Sequence, residues 1–167
     1  MKIVLEGCDR AGKTTLARRL SEELGMPVFS FGPPKGGDAF SEYCAFLDSY
    51  PGDAILDRFH VGEFVYSIVY DRRCSMTRTQ FRQVEAALLN GAAEIVYVTA
   101  IPDALKARFY NEPLNKAEDV GLTLDLYSVY FKRLCTMGIP TVYDTTYFAE
   151  ADAAAGRISA KLARRLR

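Results

Sequence analysis

Eight residues near the start of the chain, Gly7-Cys8-Asp9-Arg10-Ala11-Gly12-Lys13-Thr14, fit the pattern G-x-x-x-x-G-K-[ST]. The context is the one this pattern requires. A short aliphatic run over residues 2–6 precedes it and reads as a buried strand. Residues 13–24 follow, with Leu16, Leu20 and Leu24 on one helical face. Glycines let the backbone curl so that successive N–H groups converge, and the helix beginning near Lys13 adds its positive end. Such a loop cradles a phosphate chain. Gly7 to Thr15 are therefore assigned to a bound nucleoside triphosphate, with Lys13 reaching the β- and γ-phosphates and the Thr14 hydroxyl ligating Mg²⁺.

The rest of the chain repeats the alternation of strand and helix. Strands are predicted over residues 28–31, 54–56, 94–99 and 141–143. Helices are predicted over 39–47, 62–70, 77–89, 103–109, 122–137 and 150–166, with Asp38, Asn90-Gly91 and Gly138-Ile139-Pro140 as boundary signals. Alternation of this kind implies a five-stranded parallel sheet with helices on both faces, in one α/β domain spanning residues 1–167. Residues 111–119 are polar, carry Pro113 and read as a short lid. Ligands of such sheets bind beyond the carboxyl ends of the strands, where the polar clusters after the first, third and last strands fall.

Composition narrows the setting. Lys plus Arg equals Asp plus Glu at 21 each, so the whole chain makes no electrostatic case for nucleic acid or an anionic membrane. No apolar run approaches membrane-span length, and the first residues lack the core of a signal peptide. Cys8, Cys44, Cys74 and Cys135 lie far apart with no CxxC pair, which argues against a zinc cluster or a disulfide scaffold. They read as four reduced thiols of a cytoplasmic protein.

The stretch from Glu6 to Thr15 resembles the phosphate-binding loop that opens thymidylate kinases. Leu56-Asp57-Arg58-Phe59 resembles the segment ending the third strand of that family, and the run from Asp57 to Tyr66 is similar to the small bacteriophage members. The resemblance implies a P-loop kinase fold and phosphoryl transfer from Mg-ATP to a nucleotide acceptor, with dTMP as first expectation. In that reading Lys13, Arg10, Asp57 and Arg58 are catalytic. Arg10 acts as an internal arginine finger, Asp57 joins Thr14 at the metal, and Arg58 grips the acceptor side. Asp9, Phe31, Lys35, Tyr66 and Arg78 face the acceptor, while Arg108 and Asp144 line the adenine. Similar kinases form homodimers.

The chain departs from cellular members in three ways. It is shorter, it has Thr99-Ala100-Ile101-Pro102 where they carry an acid, and its lid offers only Lys116. These differences leave the acceptor open. Arg72, Arg73, Arg78 and Arg82 make a hydroxymethylated pyrimidine in DNA a second candidate. A nucleotide-gated binding module with slow ATP hydrolysis is the third. His60, the one histidine, reads as structural. Cys8 reads as oxidation-sensitive rather than nucleophilic. Tyr66, Tyr70, Tyr127 and Tyr130 follow helical spacing and read as core or half-core residues.

Overall fold

The computed structural model describes residues 1–34, 37–110, 119–137, 140–144, 156–161 and 164, with residues 110 and 140–144 described through their backbone. The strands are β1 (Lys2–Glu6), β2 (Val28–Ser30), β3 (Ala54–Asp57), β4 (Glu94–Thr99) and β5 (Pro140–Asp144). They pair in the order β2-β3-β1-β4-β5, and every pairing is parallel. The helices are α1 (Lys13–Leu24), α2 (Ala39–Ser49), α3 (His60–Val69), α4 (Arg78–Asn90), α5 (Pro102–Tyr110) and α6 (Val120–Thr136). Residues 156–161 are also helical. Residue 164 lies in a turn, and the rest of the predicted C-terminal helix, like the lid up to residue 118, lies outside the described residues.

Strand periodicity divides the core in two. Ile3 and Leu5, Ile55, and Val96 and Val98 pack with Leu16 and Leu20 of α1 and Leu105 of α5. The alternate positions Val4, Leu56, Ile95 and Tyr97 pack with Tyr43 of α2, Val65 of α3, Leu88 of α4 and Tyr127, Phe131 and Leu134 of α6. Side chains of a strand alternate faces, so these are the two faces of one sheet, each covered by helices.

Local chemistry places the helix ends. Asp38 caps α2 by accepting from the Ser41 N–H at 3.0 Å. Thr77 and Gln80 form a reciprocal capping box at the start of α4. Asp119, predicted as the lid's last residue, instead caps α6 by accepting from the Leu122 N–H at 2.9 Å. Helix α3 begins at His60, two residues earlier than its apolar pattern suggests, because its first turn is satisfied by a distant side chain described below.

Central β1 lies between β3 and β4. The chain winds to one side of it to build β2 and β3, and to the other to build β4 and β5. A crevice therefore opens beyond its carboxyl end, where Gly7 begins the phosphate-type loop. Gly7 has φ +149°, and a Cβ built there would lie 2.0 Å from the Val98 carbonyl oxygen of β4. The loop thus leaves the sheet with no room for a side chain. Gly25 ends α1 in the left-handed region at φ +68°, with nothing within 4 Å of a built Cβ.

Comparing two alanine substitutions separates these two demands. Gly25→Ala costs about 1 kcal/mol for the left-handed backbone alone. Gly7→Ala costs at least about 3 kcal/mol, because backbone of β4 must also move. Urea denaturation of both variants measures the difference.

Candidate functional site

The loop from Gly7 to Thr14 curls over the end of β1. The Lys13 ammonium donates to the carbonyls of Gly7 and Cys8 at 2.8 Å each and lies 3.6 Å from Asp9. Burial lowers its pKa, with Asp9 opposing the shift. Cys8 and Ala11 are fully buried, so Cys8 is not the oxidation-sensitive thiol its place in the loop suggests: its sulfur is packed out of reach of solvent. Arg10 takes φ +63°, in the left-handed region. Arg108 of α5 donates to the Arg10 carbonyl at 3.1 Å and so braces the loop from the neighbouring strand's connection.

β3 delivers two further groups. Its last residue, Asp57, accepts from the Thr14 hydroxyl at 2.6 Å through Oδ2, while its buried Oδ1 has no partner. An unpartnered buried carboxylate oxygen beside a hydroxyl suits a hard divalent cation that also takes ligands from phosphate and water. No group of three or more His, Cys, Asp or Glu able to hold a metal occurs among the described residues. Arg58 follows with φ +66°, its N–H pinned to the Leu5 carbonyl at 3.0 Å. Its guanidinium donates to Asp9 at 2.9 Å. Burial alone would raise the Asp9 carboxyl, but Lys13 and Arg58 outweigh it and hold the group below its ordinary value.

Asp9 and Arg58 join two cavities. One is the phosphate-side groove lined by Arg10, Gly12, Lys13, Thr14 and Thr15. The other, of about 250 Å³, has aromatic walls: Phe31, Tyr43, Phe59, Tyr66 and Tyr70. Phe31 meets Phe59 edge-on at 4.9 Å, and Tyr66 stacks on Tyr70 at 5.6 Å. Tyr66 also accepts the Asp9 N–H at 2.8 Å, so one wall of this cavity is bonded to the phosphate-type loop.

The far wall is an ion pair between buried Glu63 and half-buried Arg72. Glu63 of α3 receives two bonds from Arg72 at 2.7 and 2.8 Å, and the Ser75 N–H and hydroxyl at 2.9 and 2.8 Å. Burial would raise its carboxyl, but Arg72 and Ser75 hold it below the ordinary range. Arg72 therefore belongs to the cavity wall, not to an exposed basic face.

The structure thus brings together Gly7, Asp9, Arg10, Gly12, Lys13, Thr14, Thr15, Asp57, Arg58, Phe31, Tyr66 and Arg108. Arg78, expected on the acceptor side, is exposed at the first turn of α4 and lines none of the described cavities. Lys35 lies outside the described residues. Asp144 ends β5, and its side chain lies outside them too. His60 is buried against Phe81, with Tyr130 at 3.4 Å from its Nε2, as a structural histidine would be. No described helix is long and apolar enough to cross a membrane.

No protein-family model matches the chain. It is 30% identical over 132 residues to the SPbeta prophage-derived uncharacterized protein YorR of Bacillus subtilis (strain 168), covering 75% of this chain and 78% of that one. Among solved structures, YorR from B. subtilis in complex with phosphorylated GDP has TM-score 0.71 at 23% identity, covering 99% of this chain and 95% of that one. Deoxyadenosine kinase from M. mycoides with products dCMP and dCDP has TM-score 0.61 at 15% identity, covering 98% and 99%. Thymidylate kinase from Ehrlichia chaffeensis has TM-score 0.55 at 16% identity, covering 97% and 98%. The fold is shared with these kinases.

One residue at the centre of the site escaped the sequence reading. Glu6, the last residue of β1, is fully buried, and its Oε1 accepts the N–H groups of Phe59 and Val61 at 3.0 Å each. It supplies the cap that α3 lacks locally, and its Oε2 meets the Tyr127 hydroxyl of α6 at 3.4 Å. A carboxyl closing an otherwise apolar buried strand was the available signal. Burial pushes it up to about 7, against the pull of the α3 N–H groups and Lys13. His60 is pushed down to about 3 by burial and by Arg133.

These two groups have opposite linkage. Folding binds a proton more tightly at Glu6, so its contribution to stability is lost as pH rises from the ordinary 4.5 to about 7. His60 is held neutral, so stability is gained as pH rises from about 3 to the ordinary 6.5. Glu6→Gln removes only the falling limb. The stability of the wild type minus that of Glu6→Gln is expected to fall by up to roughly 3 kcal/mol between pH 5 and 7.5, measured as paired thermal denaturations across pH.

Proposed function

We propose that this chain, which belongs to the family of the SPbeta prophage-derived protein YorR of Bacillus subtilis, is a phosphotransferase moving the γ-phosphoryl group of a magnesium-bound nucleoside triphosphate to a nucleotide acceptor. The observation that carries this reading is the Asp9–Arg58 pair, which lies in both the phosphate-side groove and the aromatic cavity. A cation shared by donor and acceptor chambers is what an in-line transfer needs, since charge spreads over the phosphoryl oxygens while two anions are held together.

The parts have distinct tasks in this reading. The loop N–H groups and Lys13 hold the β- and γ-phosphates. Thr14 and Asp57 hold Mg²⁺, which neutralises the charge of the phosphates. Arg58 lies at the junction, and Arg10, its carbonyl held by Arg108, serves as the internal finger. The Glu63 bridge orients Arg72 at the far end of the aromatic cavity. A guanidinium only donates, so it favours a base edge carrying a carbonyl, as in thymine or guanine, over one carrying an amino group. This supports dTMP as one acceptor, and the phosphorylated GDP held by YorR supports a guanine nucleotide as the other. One domain in the cytoplasm, with no lipid requirement, completes the reading.

Transfer of radiolabelled γ-phosphate to a panel of nucleoside monophosphates, nucleosides and DNA tests it. Thymine and guanine monophosphates are expected to exceed the adenine and cytosine ones at least ~10-fold in kcat/KM. Label appearing on DNA alone redirects the activity to nucleic acid, and ATP hydrolysis indifferent to every acceptor returns the chain to a binding module. Lys13→Ala is expected to abolish transfer. Arg10→Ala is expected to lower kcat by at least ~10³-fold with ATP binding little changed, the low end of what arginine fingers supply. Steady-state kinetics with calorimetric ATP titration separates the two effects.

A further inference from the structure

The aromatic cavity does not end at Arg72. Pro33 and Arg72 also belong to a second, larger opening of about 740 Å³, bounded further by Pro34, Arg73, Ser75 and Gln80. Shared residues thus string three chambers together. Asp9 and Arg58 connect the phosphate groove to the aromatic cavity, and Pro33 and Arg72 connect that cavity to the outer groove. An acceptor with its reacting group at Arg58 and its ring between the aromatic walls presents its distal edge to the last junction.

The junction is built rather than incidental. Arg72 is clamped from behind by a Glu63 carboxylate with four hydrogen-bond donors, and Pro33-Pro34 stiffens the opposite side. In the outer groove donors stand among proline, cysteine and methionine side chains. Arg73 is exposed there. Gln80 spends its side-chain oxygen on the Thr77 N–H and hydroxyl, which leaves its NH₂ as a donor, and no carboxylate is among the described lining residues.

We propose that the acceptor is a base-modified nucleotide, whose base carries an acceptor-rich or anionic arm passing Arg72 into the groove beside Arg73. This rests on the phosphotransferase reading above. It adds that the acceptor extends past an ordinary base, because the chamber beyond the base edge is open, larger than the one that holds the ring, and bordered by Arg72, Arg73 and the Gln80 amide.

Matched acceptors test it: dUMP against dUMP bearing a 5-carboxyalkyl or a 5-aminoalkyl arm, and dGMP against 7-deaza-dGMP bearing the same arms at position 7. The wild type is expected to favour the carboxylated analogue over the bare nucleotide by about tenfold in kcat/KM, the worth of one charge-assisted hydrogen bond. In Arg73→Glu that ratio is expected to fall at least tenfold, while the aminoalkyl analogue gains. This charge swap is an effect that loss of structure cannot produce. Transfer to the bare nucleotides with refusal of both armed analogues overturns the inference and leaves the phosphotransferase reading standing. An unchanged ratio in Arg73→Glu also overturns it. No transfer to any acceptor overturns both.

Discussion

Glu6 is the point on which the site turns. It stands at the end of the central strand, one residue before the phosphate-type loop, yet its carboxylate spends itself on the first turn of α3. The backbone it grips follows directly on Asp57 and Arg58. A single strand end therefore sets both the start of the loop through Gly7 and the position of the opposing cation through α3. The Leu5 carbonyl, bonded to the Arg58 N–H, reinforces the same link. The loop and the Arg58 cation share one rigid reference, and little conformational freedom remains between them.

The aromatic cavity depends on the same anchor. Phe59 is the residue before α3, and its carbonyl accepts the Tyr43 hydroxyl of α2 at 3.0 Å. Tyr66 lies two turns further along α3 and closes back on Asp9. Further out, Glu85 ties α4 to α6 through the Tyr130 hydroxyl at 2.9 Å and through Arg133. Helices α2, α3, α4 and α6 on that face are thus joined by polar bonds as well as apolar packing. A buried bond network of this sort specifies one arrangement where hydrophobic contact alone would tolerate several.

How much of this was legible in the sequence differs by kind of signal. The loop from Gly7 to Thr14 announced itself, because its residues are adjacent and each has a backbone or phosphate duty. Asp57-Arg58 was found because a polar pair follows an aliphatic strand. The helix boundary at Asp38 follows from capping chemistry, whereas Thr77, expected as the first helical residue of its segment, is the cap that precedes α4. Glu63 and Arg72 were not read as a pair: they are nine positions apart, across the end of α3, and only the fold makes them partners. Arg72 looked instead like one of four clustered arginines. Glu6 was counted as a strand residue, since its partners lie more than fifty positions away. Contacts of that separation are created by the strand order, which a period-two pattern does not encode.

The backbone at the two proposed reacting arginines carries a further meaning. Among the described residues, left-handed φ outside glycine occurs at Arg10, Arg58, Asp71 and Ala92, and the first two carry the guanidiniums to which the proposed transfer is assigned. A β-carbon in that region is disfavoured by about 1–2 kcal/mol, so glycine would be the more comfortable residue at either place. At position 58 that cost is set against the bond to Asp9, which glycine would abolish. Easing the backbone there and stripping the ion pair are one and the same change, so the strained arginine is kept in place by the partner it holds.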